Sequence, residues 1–441
     1  MDPSISLAAQ ICCSSVSDMP QELARHLFET GAFLIFTDVP EGTEFGIDYK
    51  SWHVGPKFSG LKMIPPGVHF IFFSVKTAPR IGFFHYFKEK EIVVRKWDHL
   101  KEDMLTEPTT AEEVSFSDFL IFFLRWPILE QLGAAMPVMV EDWGKLRGPA
   151  ENGLRGADAS VTRIRANLKN IDNRLGAYPY ETYRSWFALS NYIKEKSIMR
   201  LKPEDERGSI TGQAELVTLE SEVEARGVRR RLTFTCLFLL KLLRCEQNLG
   251  MSTSRVDREH PTRFRFADEN GLPIMRIKQG FKIRFTPLES PLVSDSHVVE
   301  IGFDRSAQLD KIIATFDGDS DEVLAEIQFA FVCFLMGQVY ESFEQWKRLI
   351  HLLCSCSKAL TTYSNLYMAL LPVIHFQLKE CPKDFFVDIV SRDNFLTTVL
   401  SRLFANIEDS ESADASLKEK SEKFKNFLTK RFRWNFDNPE E

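Results

Sequence analysis

The sequence predicts an α+β multidomain protein, with a β-rich, sandwich-like N-terminal domain that carries associated helices, then a linker, then an all-α C-terminal domain. Three observations lead to this prediction. Short β-prone runs separated by glycine and proline turns fill the chain from residue 32 to 97. Residues 203–300 are highly charged and contain few periodic stretches, whereas apolar residues recur at helical spacing beyond residue 306. A length of 441 residues suits two or three domains.

The N-terminal domain is predicted to span residues 19–202, after a loose leader at 1–18. A first helix follows the cap at Asp18 and ends at Gly31. An antiparallel sheet or sandwich is then predicted from the strands Phe33–Thr37, Val68–Ser74, Ile81–Phe87 and Glu91–Trp97.

One turn and one helix complete the predicted N-terminal domain. The turn Pro65-Pro66-Gly67 should place Gly67 at positive φ and set the register of the strand after it. Residues 161–196 return to a helical pattern, in which Ile164, Leu168, Ile171 and Leu175 follow each other at spacings of four, three and four.

The linker is predicted over residues 203–300, with a short strand at Phe281–Thr286. The α-helical domain is predicted over 301–436. Its first two apolar stripes comprise Val323, Ile327, Phe331 and Phe334, and then Val339, Phe343, Trp346, Ile350 and Leu353. Further helices are predicted across 361–378, 384–406 and 413–430, and their short connections favour antiparallel packing.

Composition excludes several classes of protein. The net charge of −7 argues against a surface built throughout to neutralise phosphates, although residues 161–300 carry a net +6. Eight cysteines, with Cys12 beside Cys13, indicate a reducing compartment. The apolar runs at 119–140 and 232–243 are interrupted or too short to span a bilayer, so we expect no membrane partner.

Candidate metal ligands are sparse. His351, Cys354, Cys356 and His375 form the best local cluster, but Cys354 and Cys356 would project about 200° apart on a helix. A second Cys-x-x-Cys pair that would complete a zinc site is also absent. We therefore expect ordinary core and surface residues and no metal or cofactor.

Candidate catalytic groups are equally weak. Asp384, Asp388 and Asp393 could imitate an acid/base pair, but solvated helical charge explains them better. Phosphate-binding loops of the types G-x-x-x-x-G-K-[ST] and G-x-G-x-x-G and the nucleophile motif G-x-S-x-G are missing. The sequence therefore predicts no catalytic residues and no enzyme.

Two segments are candidates for binding a partner. Residues 223–285 hold 14 basic and 6 acidic residues, and Arg263 and Arg265 alternate there with phenylalanines, a pattern suited to single-stranded RNA. A solvated linker is the favoured alternative. Near the end of the chain, Phe432, Trp434 and Phe436 alternate with polar residues. That segment could add a strand to a sheet edge, although packing against its own helical domain is favoured.

Six dispersed blocks, in the right order, resemble the A1 cistron-splicing factor family. They are GTEFGID (42–48), VGPKFSGLKMIPPGVHF (54–70), LGAYPYETYRSW (175–186), EIQFAFVCFLMGQVYESFEQWKRLIHLLC (326–354), DFFVDIVSRDNFLTTVL (384–400) and KFKNFLTKRFRWNF (423–436). The resemblance lapses around 117–158 and 223–250, which we predict to be insertions or retained noncoding sequence.

The resemblance implies a function that composition and periodicity do not. It implies a non-enzymatic assembly factor, or chaperone, for the U5 small nuclear ribonucleoprotein (snRNP) in pre-mRNA splicing. Such a factor binds the large spliceosomal scaffold protein near its RNase H-like domain and delays the joining of the RNA helicase. The implied partners are the scaffold and the U5 snRNP precursor, and the implied locations are cytoplasm and nucleus. A single-stranded RNA-binding module that uses the basic middle segment remains the alternative.

Overall fold

The computed structural model describes ten stretches of the chain. These are residues 21–75, 78–98, 103–104, 172–205, 208–216, 275–277, 280–288, 304–381, 395–410 and 414–436. Several features of the sequence lie outside the described residues: the leader 1–18, the stretches 117–158 and 223–250, Arg263, Arg265, and the aspartates 384, 388 and 393.

The N-terminal unit contains two five-stranded sheets. Its strands are β1 Ala32–Thr37, β2 Glu44–Ile47, β3 Lys50–His53, β4 Gly60–Ile64, β5 Gly67–Ser74, β6 Ile81–Phe87, β7 Ile92–Asp98, β8 Asp103–Met104, β9 Leu175–Ala177 and β10 Ile210–Thr211. The first sheet has the order β8-β7-β1-β4-β9, and the second β10-β6-β5-β2-β3. Its helices are α1 Gln21–Thr30, α2 Tyr183–Ser190 and α3 Glu195–Leu201. A separate pair joins β11 Ala214–Leu216 to β12 Met275–Ile277.

The centre of the second sheet is buried on both faces. Six consecutive residues of β5, from Val68 to Phe73, are buried, which is why this strand is continuously apolar and not alternating. Its neighbour β6 pairs with it antiparallel, with Phe70 opposite Phe84. The ring of Phe84 stacks at 4.3 Å on Phe329, which comes from the helical unit. A sheet covered in this way needs apolar side chains in both directions.

Several strand predictions need correction. The sheets are not purely antiparallel, because β7 runs parallel to β1 and β9 runs parallel to β4. Strands β2, β3 and β4 were not predicted. Leu175 lies in β9 and not in a helix, and residues 161–171 lie outside the described residues. The predicted strand Phe281–Thr286 has no strand hydrogen bonding; the linker instead contributes β10, which pairs with β6.

The C-terminal unit is helical, which confirms the α+β fold class. Its helices are α4 Ser306–Thr315, α5 Asp321–Leu335, α6 Tyr340–Cys354, α7 Ala359–Thr362, α8 Ser364–Glu380, α9 Phe395–Asp409 and α10 Ala415–Phe432. Eight of the nine residues in the two predicted apolar stripes are buried, and the ninth, Phe334, is half-buried. No helix in the described part of the chain combines the length and apolar character needed to cross a membrane.

Helix α5 belongs to two hydrophobic cores at once. Twelve consecutive residues, from Glu322 to Cys333, are buried. Phe329, Val332 and Cys333 pack into the core of the sheet unit, whereas Leu324, Ile327 and Phe331 pack into the helical core. Leu335 packs against both. A helix that is apolar almost all round must be covered on every side. The sheets and the helices therefore share α5 and form one continuous interior.

A buried carboxylate anchors the β2–β3 hairpin. Asp48 occupies the turn with φ 54°, and its Oδ1 accepts the Phe70 N–H at 2.9 Å. Its Oδ2 lies 2.7 Å from His69 Nδ1 and accepts the Tyr178 hydroxyl at 2.6 Å. His69 Nε2 donates to the Pro65 carbonyl at 2.9 Å. Burial, reinforced by Asp48, holds the pKa of Tyr178 well above its ordinary value, which keeps the hydroxyl a donor.

The Pro65-Pro66-Gly67 turn has the predicted backbone. Gly67 adopts φ +128°, a conformation that residues with a side chain rarely adopt. A Cβ added there would meet no atom within 4 Å, so only the backbone conformation demands glycine.

Replacing Gly67 with Val should lower the free energy of unfolding by about 1–3 kcal/mol, because a β-branched residue is strained at this φ. Thermal and denaturant unfolding of the full chain would measure the loss. Gly55→Val serves as the control, since Gly55 also has open space around it but no positive φ. Equal stability of the two variants would contradict this account of the turn.

Candidate functional site

The junction between the two units is built around a carboxylate on the shared helix. Glu326 of α5 is 1% exposed, and four donors surround its two oxygens. Oε1 accepts the Thr286 N–H at 2.8 Å and the Gln345 amide at 3.2 Å. Oε2 accepts the Thr286 hydroxyl at 2.6 Å and Arg200 Nη1 at 2.7 Å. A buried carboxylate requires this kind of saturation.

A second carboxylate lies one turn earlier on the same helix. Glu322 Oε1 accepts the Ser197 hydroxyl of α3 at 2.8 Å, and its Oε2 lies 3.3 Å from both Nε and Nη2 of Arg200. The Arg200 guanidinium also stacks over the Phe316 ring, 4.3 Å from its centroid. One arginine from the sheet unit thus bridges two acids from the helical unit.

An amide contact completes the junction. Gln328 of α5 is fully buried, and its Oε1 accepts the Tyr192 N–H at 2.8 Å. Its Nε2 donates to the Asn191 side chain at 2.8 Å and to the Ala188 carbonyl at 3.3 Å. The hydrogen bonds of three polar side chains on α5 are therefore made mostly with residues outside the helical unit. Gln345, on α6, is the exception. The junction holds the two units in one orientation and presents their surfaces together.

The predicted binding residues at the end of the chain pack against the helical unit. Helix α10 ends where Arg433 adopts φ 59°. Phe436 is buried with its ring 5.1 Å from that of Phe404, and the half-buried rings of Phe432 and Trp434 stack at 4.8 Å. Residues 433–436 form no strand. This geometry corresponds to the packing alternative and not to strand addition; whether these rings also contact a partner stays a prediction.

The four candidate metal ligands do not converge. His351 Nδ1 lies 3.1 Å from Arg305 Nη1, whereas His375 sits among the aromatic rings of α8 and α10. Cys354 and Cys356 are buried thiols, and burial raises the pKa of Cys356 to about 12. Within the described ranges no three histidine, cysteine, aspartate or glutamate residues are grouped so that they could hold a metal ion.

The buried pair of Asp48 and His69 has the geometry of an acid/base dyad. Their side chains are 0% and 1% exposed, however, and both are fully engaged inside the sheet unit. A substrate could reach neither without opening the hairpin. Sequence analysis missed this network, although His69 and Tyr178 both lie in the blocks that carry the family resemblance. The pair stabilises the fold.

Arg200→Met should destabilise the protein by about 3–5 kcal/mol, because Glu326 would keep its buried charge without a cation and Glu322 would retain only the exposed Lys196, 3.5 Å away. Lys88→Ala is the matched control, since Lys88 pairs with Glu195 at 3.9 Å where both side chains are more than half exposed. Breaking that pair should cost at most about 1 kcal/mol. Denaturant unfolding of both variants measures the difference, and similar losses would refute the junction's role.

Comparison with known proteins places these features in a family. Residues 30–203 match the model for the AAR2 N-terminal domain, and residues 287–437 match the model for the AAR2 C-terminal repeat region. The first match contains β1 to β9 and the helices α2 and α3 of the sheet-bearing unit, and the second contains the whole helical unit. Arg200, Glu322 and Glu326 therefore lie within matched regions on both sides of the junction.

Full-length relatives agree with the domain matches. The chain is 42% identical over 419 residues to Protein AAR2 homolog of Caenorhabditis elegans, which covers 95% of this chain and 98% of that protein. It is 35% identical to the Mus musculus homolog over 96% of this chain and 94% of the relative, and 34% identical to the Homo sapiens homolog over 95% and 93%. The chain therefore belongs to the AAR2 family, the A1 cistron-splicing factor family, and has a role related to splicing.

Proposed function

We propose that this protein is a non-enzymatic assembly factor for the U5 snRNP. In this role it binds the large spliceosomal scaffold protein near its RNase H-like domain and delays the joining of the helicase. It meets the U5 snRNP precursor in the cytoplasm and accompanies it to the nucleus. The observation that carries the proposal is the likeness to AAR2 relatives along 95% of the chain, which includes both units and not one motif alone.

The junction supports the proposal in physical terms. A factor that recognises a folded partner with two units gains affinity when those units are already oriented, since less conformational freedom is lost on binding. Arg200 bridges Glu322 and Glu326, and Phe84 stacks on Phe329, so both polar and apolar contacts hold this orientation. Either unit can then contribute residues to a single interface.

Binding of a folded protein and binding of RNA respond differently to salt. The purified full chain should bind the isolated RNase H-like domain, and affinity should change by less than about tenfold between 50 and 200 mM salt if apolar contacts dominate. Isothermal titration calorimetry at the two salt concentrations measures this. Addition of the helicase to the scaffold with and without the full chain tests the delay.

Failure of the RNase H-like domain to bind would contradict the proposed function. The basic middle segment offers the main alternative, so Arg263→Gln with Arg265→Gln is the informative variant. If that variant loses scaffold association only when RNA is present, the RNA-binding alternative replaces the proposal. Unchanged binding in the absence of RNA favours the protein interface.

Deletion of residues 117–158 and 223–250 together should leave scaffold binding intact and improve solubility. The cost of closing a loop changes only slowly with its length, about 0.6 kcal/mol per doubling, so a folded core tolerates such insertions. Both stretches contain apolar residues, including Phe119, Phe123 and Phe238, that would favour aggregation when exposed. Calorimetry and light scattering check the two expectations. A deletion variant that does not fold would show that the core requires these stretches.

A further inference from the structure

An aromatic surface lies where α8 and α10 pack side by side. His375 of α8 lies 4.1 Å from the ring centroid of Phe427 on α10. The neighbouring Phe376 meets the His375 ring edge-on at 5.5 Å and is 37% exposed, one of three large hydrophobic residues exposed in the described part of the chain. The junction and the buried networks use none of these three rings. They form a partly solvent-facing platform without an assigned partner.

Cationic side chains surround this platform because of helical spacing. On α10, Lys423 and Lys430 lie four residues before and three residues after Phe427, and Lys420 lies one further turn back. On α8, Lys379 lies four residues after His375. Positions three, four and seven apart share a face of a helix. The lysines of both helices therefore flank the rings, over about 15 Å of helix from residue 420 to 430.

Few acids oppose these cations. Lys423 pairs with Glu419 at 2.7 Å, but Lys379, Lys420 and Lys430 make no ion pair with any carboxylate in the described residues. Arg431 donates to the carbonyls of residues 379 and 381, which leaves its positive charge without an acid.

The His375 ring, at the centre of the platform, is also affected by these positive charges. Partial burial lowers the pKa of His375, and Lys379 and Arg431 lower it further. The potential beside the platform is therefore positive.

We propose that this surface, formed by His375, Phe376 and Phe427 with Lys379, Lys420, Lys423 and Lys430, binds single-stranded RNA. The lysines would contact phosphates, and the rings would stack on bases. The helix dipole accounts for Lys430 near the C-terminus of α10, but Lys420 lies in the second turn from the N-terminus, where the dipole does not favour a cation. The dipole also gives no reason for an exposed Phe376. The carboxylates of an acidic protein segment would pair with the lysines but would not stack on the rings. RNA can make both kinds of contact, so the rings favour RNA. The site is separate from residues 223–285.

The test measures binding of a fluorescein-labelled 12-nucleotide oligouridylate to the full chain by fluorescence anisotropy. About three phosphate contacts predict a log–log salt slope near −2, which corresponds to about a 20-fold loss of affinity from 50 to 200 mM salt. In the variant Lys420→Gln with Lys430→Gln, the salt slope should become shallower, about −0.7, and the loss of affinity between 50 and 200 mM salt should be only about 3-fold. Lys311→Gln, at an exposed lysine of α4, is the control that removes one positive charge away from the platform, and it should leave the affinity and the salt slope unchanged.

A second variant tests the rings. Phe376→Ala should weaken RNA binding about 5-fold or more and leave the salt slope unchanged, because it removes stacking and no charge. Unaltered affinity in this variant, or an unaltered slope in the double lysine variant, would overturn the proposal. Competition by a 12-residue polyglutamate peptide as effective as unlabelled RNA would instead assign the surface to an acidic protein. Scaffold binding should be normal in all three variants, which separates this result from the proposed assembly function.

Discussion

The structure depends on satisfying the hydrogen bonds of three polar side chains in the first half of a buried helix. Helix α5 is covered from Glu322 to Cys333, yet it carries two glutamates and a glutamine in that interval. Leaving any of them unpaired would cost more than most single apolar contacts contribute. Their partners come from α3, from the end of α2 and from the segment at Thr286, so these elements must sit where they do. Apolar packing brings the two units together, and the polar contacts fix their relative orientation.

Sequence patterns predicted the elements whose periodicity is strong. The stripe from Val339 to Leu353 identified α6, and the apolar runs identified β5 and β6. The β2–β3 hairpin escaped prediction because its strands have four residues each and its turn uses Asp48 at positive φ, where glycine or asparagine is the usual signal. The parallel pairing of β1 with β7 depends on chain topology, which local patterns do not encode.

Candidate site residues were predictable only where they are close in sequence. The alternation of Phe432, Trp434 and Phe436 marked a segment whose rings do cluster, although on their own helical unit. His375 drew attention as a metal ligand, whereas its neighbours in space are rings from two helices about 50 residues apart. The lysines around Phe427 carry a readable i, i+3 and i+4 signal. The surface that these lysines form with the rings could be recognised only from the packing of α8 on α10, which the sequence of neither helix specifies alone.

The contact between Phe84 and Phe329 has a consequence for how the protein emerges from the ribosome. Roughly 245 residues separate the two rings, and at about 5–20 residues per second their synthesis takes about 10–50 s. Throughout that interval the nascent sheets lack α5, and they acquire their edge strands, β9 in the first sheet and β10 in the second, only partway through it. Apolar residues of the N-terminal unit therefore remain exposed until α5 has been synthesised and packs against them. Newly made chains should engage general chaperones until translation has passed residue 340.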